Sequence, residues 1–330
     1  MTSGTPKSSL ARRRMMTAGA LPRLYDSSRE SRRIMFGAMT ILLLTLCAVL
    51  APYLVPAQSP LNPILTNLAD VNQPPFSAGH ALGTDYLGRD ILAQAIWGSR
   101  ASLAVGLFAA TIAVAFGSLW GTISAFAGGL VDGVMMRIVD GMLAIPNIIL
   151  LLAFNSLIST PGLLQATPPW MLNMLHVTSY SYGLLPMFTV IGVISATTWL
   201  EAARITRGKI MTIKGEEYIM AARAVGNNAA GMILRHLLPN AATVILVEAT
   251  LLVSDAILME SGLSYLGLGL GPATPSWGSM LNSGQLSLVQ GNWWAVLVPG
   301  ALITLTVVAI TLLGEGWLEL MGVHRNPASS

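Results

Sequence analysis

Six stretches of the chain are predominantly apolar: 34–54, 101–126, 138–158, 184–199 with a few flanking residues, 241–263 and 293–313. A helix needs roughly 20 such residues to cross a bilayer. Lipid offers no water to pair an open backbone, so runs of this kind must satisfy their own N–H and C=O groups as helices. The pattern predicts an all-α membrane protein with six transmembrane helices. Composition agrees. Only 10% of the 330 residues are charged and the mean hydropathy is +0.65, whereas a soluble domain carries about 25% charged residues.

Six spans place both termini on one side, and the basic residues say which. Of 18 Lys and Arg residues, 16 fall in segments 1–33, 127–137, 204–240 and 314–330. The loops 159–183 and 264–292 contain none, and the other two, Arg89 and Arg100, precede the second span. Positive residues are retained on the cytoplasmic side, so the expected topology is N-in, C-in. The eight basic residues before residue 34 are read as a cytoplasmic anchor; no nucleic-acid partner is expected. The chain then divides into a basic tail 1–33, a first span 34–54, an extracytoplasmic segment 55–100, a five-span core 101–320 with a cytoplasmic loop 204–240, and a tail 321–330. Trp170 and the "NWW" at 292–294 stand where interfacial aromatic anchors belong. Segment 55–100 closes with "HALGTDYLGRDILAQAIWGSR", which reads as turns followed by an amphipathic helix over about 90–97. That helix either lies on the outer leaflet or borders a ligand site.

Several chemistries are excluded as expectations. There is no GxxxxGK[ST] phosphate loop, no HExxH or CxxC pattern, and no GxSxG in a strand–turn–helix setting, so neither nucleotide binding nor hydrolysis by this chain is expected. The four histidines are scattered and Cys47 is the single cysteine, which leaves no metal site and no disulfide. A 33-residue polar leader before a long apolar run does not fit a cleaved signal peptide.

Ionisable residues inside apolar runs are more informative. Asp140 lies in or beside the third run, and Glu248, Asp255 and Glu260 lie in or near the fifth. A charge in the hydrocarbon core costs about 2.5–3.5 kcal/mol on insertion scales, so such groups face a bundle interior or a water-filled path. Glu248 and Asp255, seven residues apart, share one helix face. Asp140, Glu248 and Asp255 are therefore candidates to line a pore. The alternative is that each bonds a neighbouring helix or sits at the membrane edge, as Glu260 also could. Gly117, Gly121, Gly192 and Ser195 would permit close helix packing.

The most polar helical pattern is "EEYIMAARAVGNNAAGMILRHLLPN", residues 216–240. Glu216 and Glu217 suit the positive end of a helix dipole. Gly226 and Asn227 form a natural C-terminal cap, Asn228 can cap the next helix, and Pro239 marks entry to the fifth span. Ala221, Ala222 and Ala224 give the first helix a small-residue face. A helix pair of this kind either enters a partner's groove or packs against the ends of its own spans.

This pattern resembles the EAA loop of ABC-importer permeases, E-A-A-x-x-x-G followed ten residues later by I-x-L-P. Ala221, Ala222, Gly226, Leu238 and Pro239 fall on that spacing, while Met220 stands in the Glu position and His236 in the Ile position. "HALGTDYLGRDILAQAIWGSRASL", "GGLVDGVMMRIVDGMLAIP", "AILMESGLSYLGLGLGPATPSWGSML" and "PGALITLTVVAITLLGEGWLE" are similar, in order, to the C-type subunit of the dipeptide, oligopeptide and nickel subfamily. The resemblance spans roughly residues 30–320. It implies a type I ABC-importer permease fold in a bacterial inner membrane, with 216–240 as a cytoplasmic coupling segment. It also implies a second homologous permease subunit, two ATPase subunits or one two-domain ATPase, and an extracytoplasmic solute-binding protein. ATP and magnesium would be held by the ATPases, and no cofactor by this chain. Glu217, Ala221, Ala222, Arg223, Gly226, Asn227 and Pro239 are the residues expected at the ATPase contact. The cargo implied is di- or oligopeptide; a nickel chelate within the same family, and a proton-coupled secondary transporter from another class, are the alternatives.

Overall fold

The computed structural model describes residues 20–56, 59, 61–77, 79–158, 185–271 and 274–320. Among them there are helices and no strands. Those of eight residues or more are, in order, α1 (Ala20–Leu54), α2 (Ile91–Ala127), α3 (Gly129–Leu143), α4 (Asn147–Ile158), α5 (Leu185–Ile213), α6 (Glu217–Ala224), α7 (Leu238–Tyr265), α8 (Trp277–Val289) and α9 (Trp294–Leu320). Five helical segments are long and apolar enough to cross a membrane: Arg32–Leu54, Ile91–Ala127, Pro186–Ile213, Ala229–Tyr265 and Trp294–Trp317. A sixth results if the pair Gly129–Leu143 and Asn147–Ser156, bent by 90°, is counted as one span.

That bend corrects the third predicted span. Pro146 has no N–H to donate and its ring excludes the preceding helical turn, so α3 stops at Leu143 and α4 restarts on the Pro146 carbonyl, which accepts from Ile149 N at 2.9 Å. The second difference lies in α2. The short helix expected over 90–97 and the span expected over 101–126 are one helix, capped by Asp90, whose side chain accepts from Ala93 N. At 37 residues α2 is about 55 Å long, well beyond the ~30 Å hydrocarbon core. Its first turns are buried, Ile91 and Ala95 in one cluster with Trp277 and Trp294, not laid on a leaflet. The fourth span likewise runs on to Ile213, fourteen residues past Trp199. The segment 264–292 contains α8, a helix the apolar pattern did not indicate.

Helices α2 and α5 form the most extensively packed pair. Gly117 and Gly121 explain why: a Cβ on either would overlap a backbone carbonyl of α5, that of Trp199 or of Ala203. Ser195 Oγ also reaches Ala109 O across this seam at 3.2 Å. Gly192 does not belong to it, since a Cβ there would meet nothing within 4 Å. Helix α7 packs on both members of the pair, and α9 and α1 pack outside them.

The two ends of α2 mark the two ends of the bundle. At its N-terminal end residues 61–77 and 79–90 fold into a compact knot. Asp85 accepts from the backbone N–H groups of Leu87 and Arg89, both at 2.9 Å, and pairs with the Arg89 side chain. Trp294 Nε1 donates to Thr84 O and is itself buried. Of the expected aromatic anchors, then, Trp293 is exposed, Trp294 belongs to the core, and Trp170 lies outside the described residues.

Candidate functional site

The other end of α2 gathers the end of α5, the helix α6 and the start of α7. Helix α6 begins after Glu216 and ends in a Schellman arrangement: Asn227 N donates to Ala222 O at 3.4 Å and Gly226 N to Arg223 O at 3.0 Å. Closing this turn requires Gly226 at φ +88°, a conformation costly for residues with a Cβ. The Asn227 side chain adds a bond to Ala222 O at 2.9 Å. Asn228 then caps the following turn, its Oδ1 accepting from Gly231 N at 2.7 Å. The expected second helix is a single turn, Ala229–Gly231, that passes into a π-helical segment, Met232–Leu237, before α7. Pro239 lies in the first turn of α7, directly after the π-helical segment of a helix that is continuous from Ala229, so its missing N–H leaves one intrahelical bond unmade at this junction.

One face of this assembly is packed and the other is bare. Ile219, Met232 and Leu237 are buried with Ala125, Ile210, Ile213 and Ala241, and Ala222 packs against the same cluster. Ala222, a predicted contact residue, therefore faces inward. The guanidinium of Arg223 lies 5.6 Å from the ring centroid of Phe126, the penultimate residue of α2. Glu217, Ala221, Gly226 and Asn227 are exposed. So are four apolar side chains: Tyr218, Met220, Leu234 and, at 86% exposure, Val225. Sequence reasoning passed over Tyr218, Val225 and Leu234. Their signal was apolar character within the most polar helical stretch of the chain.

The intramembrane carboxylates separate into three settings. Glu248 is buried in α7, within electrostatic reach of Asp255 on the same helix and of Glu201 on α5. None of the ion pairs among the described residues involves these three. Asp140 is exposed on α3 and interacts with Arg207 instead, so it does not join Glu248 and Asp255. Glu260 is fully buried and fully bonded. Ser102 Oγ of α2 donates to it at 2.9 Å and Ser264 Oγ at 2.7 Å, while Ser102 Oγ also accepts from Trp277 N at 3.2 Å. Glu260 thus ties α2, α7 and α8 together in the interior of the bundle. Glu201 was absent from the sequence reading because it falls just beyond the fourth apolar run.

Beside the knot a cavity of about 220 Å³ is bordered by Tyr86, Arg89, Gln94, Ser279 and Asn282. Arg89 is occupied there by Asp85 and by Ser283 Oγ at 3.1 Å.

Residues 117–322 match the family described as binding-protein-dependent transport system inner membrane component. The chain is 34% identical over 288 residues to the dipeptide transport system permease protein of Bacillus subtilis (strain 168), covering 87% of this chain and 81% of that one. Identity is also 34% to the oligopeptide transport system permease protein of the same strain, covering 87% and 84%. It is 32% over 301 residues to the di/tripeptide transport system permease protein of Pseudomonas aeruginosa (strain UCBPP-PA14), covering 90% and 89%.

Proposed function

The chain belongs to the binding-protein-dependent transport system inner membrane component family, and from that premise we propose that it is one of two permease subunits of an ATP-driven importer of di- and oligopeptides. It is a multi-pass membrane permease, and transport rather than catalysis is its activity. The peptide cargo is supported by the relatives' names, which specify dipeptide, oligopeptide and di/tripeptide transport. ATP and magnesium are held by separate ATPase subunits, and a solute-binding protein delivers the peptide at the opposite face. The chain takes the N-in, C-in orientation, which puts the 204–240 loop in the cytoplasm with the ATPases.

The observation that carries this reading is the split character of the 217–237 segment. Ile219, Met232 and Leu237 anchor it to the spans, while Tyr218, Met220, Val225 and Leu234 stand uncovered. Large bare apolar side chains gathered on one short cytoplasmic segment are the mark of a surface that meets a partner. We assign α6 the role of coupling helix, with Glu217, Ala221, Gly226 and Asn227 at the ATPase surface. Ala222 packs behind it, Arg223 is exposed with its guanidinium over Phe126, and Pro239 is exposed at the start of α7.

Affinity purification of the tagged full-length protein from its native membrane tests this reading. A second permease and an ATPase are expected in near-equal amounts, and Val225→Asp should lose the ATPase while keeping the second permease. Purification without any ATPase would overturn the assignment.

A further inference from the structure

The end of α2 is held in a way that packing alone does not require. The last four carbonyls of a helix have no intrahelical partners, and here two of them are taken by one cation. Lys214 Nζ donates to Ala125 O at 2.9 Å and to Phe126 O at 3.0 Å. One residue earlier, Ser124 Oγ donates to Asp132 Oδ1 at 2.5 Å. The Asp132 carboxylate in turn takes both Nε and Nη2 of Arg207, each at 2.6 Å. Arg223 covers the ring of Phe126. Three consecutive residues of α2 are therefore held by α3, by the α5–α6 link and by α6 itself, and the α3 carboxylate that does so is in turn held by Arg207 of α5.

We infer that residues 124–126 are the point at which movement of α6 enters the membrane bundle, and that Lys214, Asp132 and Arg207 are positioning residues for transport. The inference rests on the proposed role of α6 as coupling helix. Lys214 lies between the end of α5 and the start of α6, so α6 cannot shift without pulling on the α2 carbonyls or releasing them. Gly117 and Gly121 lock α2 to α5 a little further along, which prevents the end of α2 from yielding alone. The helix then continues without a break to Ser102, which bonds Glu260, and to Ala95, whose carbonyl accepts from Trp277 Nε1. A displacement at Phe126 is thereby delivered at the opposite end of the bundle, beside the knot. Cationic capping at a helix C-terminus is favourable in itself. Its distinctive feature here is that the cap is supplied by the link to the coupling helix.

The test compares Lys214→Met, which keeps the stem and removes the cation, with Lys214→Arg, which retains it, and with Asp132→Asn, which is nearly isosteric. Each is measured in the complete importer for assembly, for ATP hydrolysis and for labelled dipeptide taken up per ATP. Lys214→Met and Asp132→Asn should assemble and hydrolyse ATP within about twofold of the parent while peptide per ATP falls about tenfold or more; Lys214→Arg should recover most of it. Unchanged peptide per ATP in both Met and Asn variants would overturn the inference. So would failure of both to assemble, since the contacts would then serve construction only. If the parent complex shows no ATP-dependent uptake, the functional reading fails first.

Discussion

Gly121 of α2 lies against the backbone of Ala203 on α5 so closely that a Cβ would overlap the Ala203 carbonyl oxygen. Gly117 repeats the relationship with Trp199 one turn earlier. This GxxxG-type seam removes the side-chain layer between two spans and lets backbone meet backbone. Backbone cannot rotate out of the way as a side chain can, so even one methyl must be accommodated by moving a helix. Gly121→Ala should destabilise the isolated protein by about 1–3 kcal/mol, the usual cost of overpacking, and lower its thermal midpoint in detergent. Gly192→Ala, at a site with open space, is the control and should change little.

Gly226 separates conformational strain from contact. Its φ of +88° disfavours any side chain, yet a Cβ there would touch nothing in the chain. Gly226→Ala and Gly226→Leu should therefore share a strain of about 1–2 kcal/mol and resemble each other in thermal stability. Transport should tell them apart. The leucine variant is expected to abolish peptide uptake at normal membrane levels, because its bulk would project into the proposed ATPase contact, whereas alanine should leave measurable uptake.

Val225 projects almost wholly into solvent, so Val225→Asp should alter the stability of the isolated chain by less than about 0.5 kcal/mol. Its effect belongs to the complex. Loss of a central apolar contact costs more than about 1 kcal/mol, and binding of the ATPase should weaken roughly tenfold. Titration of purified ATPase onto permease in nanodiscs would measure it, and equal affinity would remove Val225 from the interface.

The serine-bonded carboxylate at Glu260 predicts an order of variants. Glutamine keeps a carbonyl acceptor for Ser102 or Ser264, whereas leucine leaves both hydroxyls without their partner. A buried polar group left unsatisfied costs about 1–3 kcal/mol. Thermal midpoints should fall in the order parent, Glu260→Gln, Glu260→Leu. A leucine variant as stable as the parent would show that the α2–α7–α8 tie is dispensable.

Much of this architecture was legible from apolar run length. The first, fifth and sixth spans appear close to their expected bounds, and their helices continue through Pro52, Pro239 and Pro299. Run length failed where polarity and helix part company. Residues 91–99 and 200–213 carry too many polar groups to read as membrane-embedded, yet they are helical because Trp277 packs on the former and Gly121 of α2 on the latter. The 90° turn at Pro146 was visible as a proline but not as a change of direction. At the candidate site, local cap chemistry at Gly226 and Asn228 could be read directly, since it depends on neighbours in sequence. The orientation of α6 could not. Which of Ala222 and Ala221 faces inward depends on Ile210 and Met232, partners nine or more residues away. The grip on residues 124–126 was equally hidden, because Arg207 meets Asp132 across 75 residues.

The central claim is that this chain moves peptide only as part of an ATP-driven assembly, and reconstitution addresses it most directly. The purified protein is placed in liposomes alone, and in parallel with its second permease, ATPases and binding protein, and labelled dipeptide is followed with ATP or with a proton gradient. Accumulation that requires the full set and ATP is the predicted result. Uptake by this chain alone, driven by the proton gradient, would contradict it.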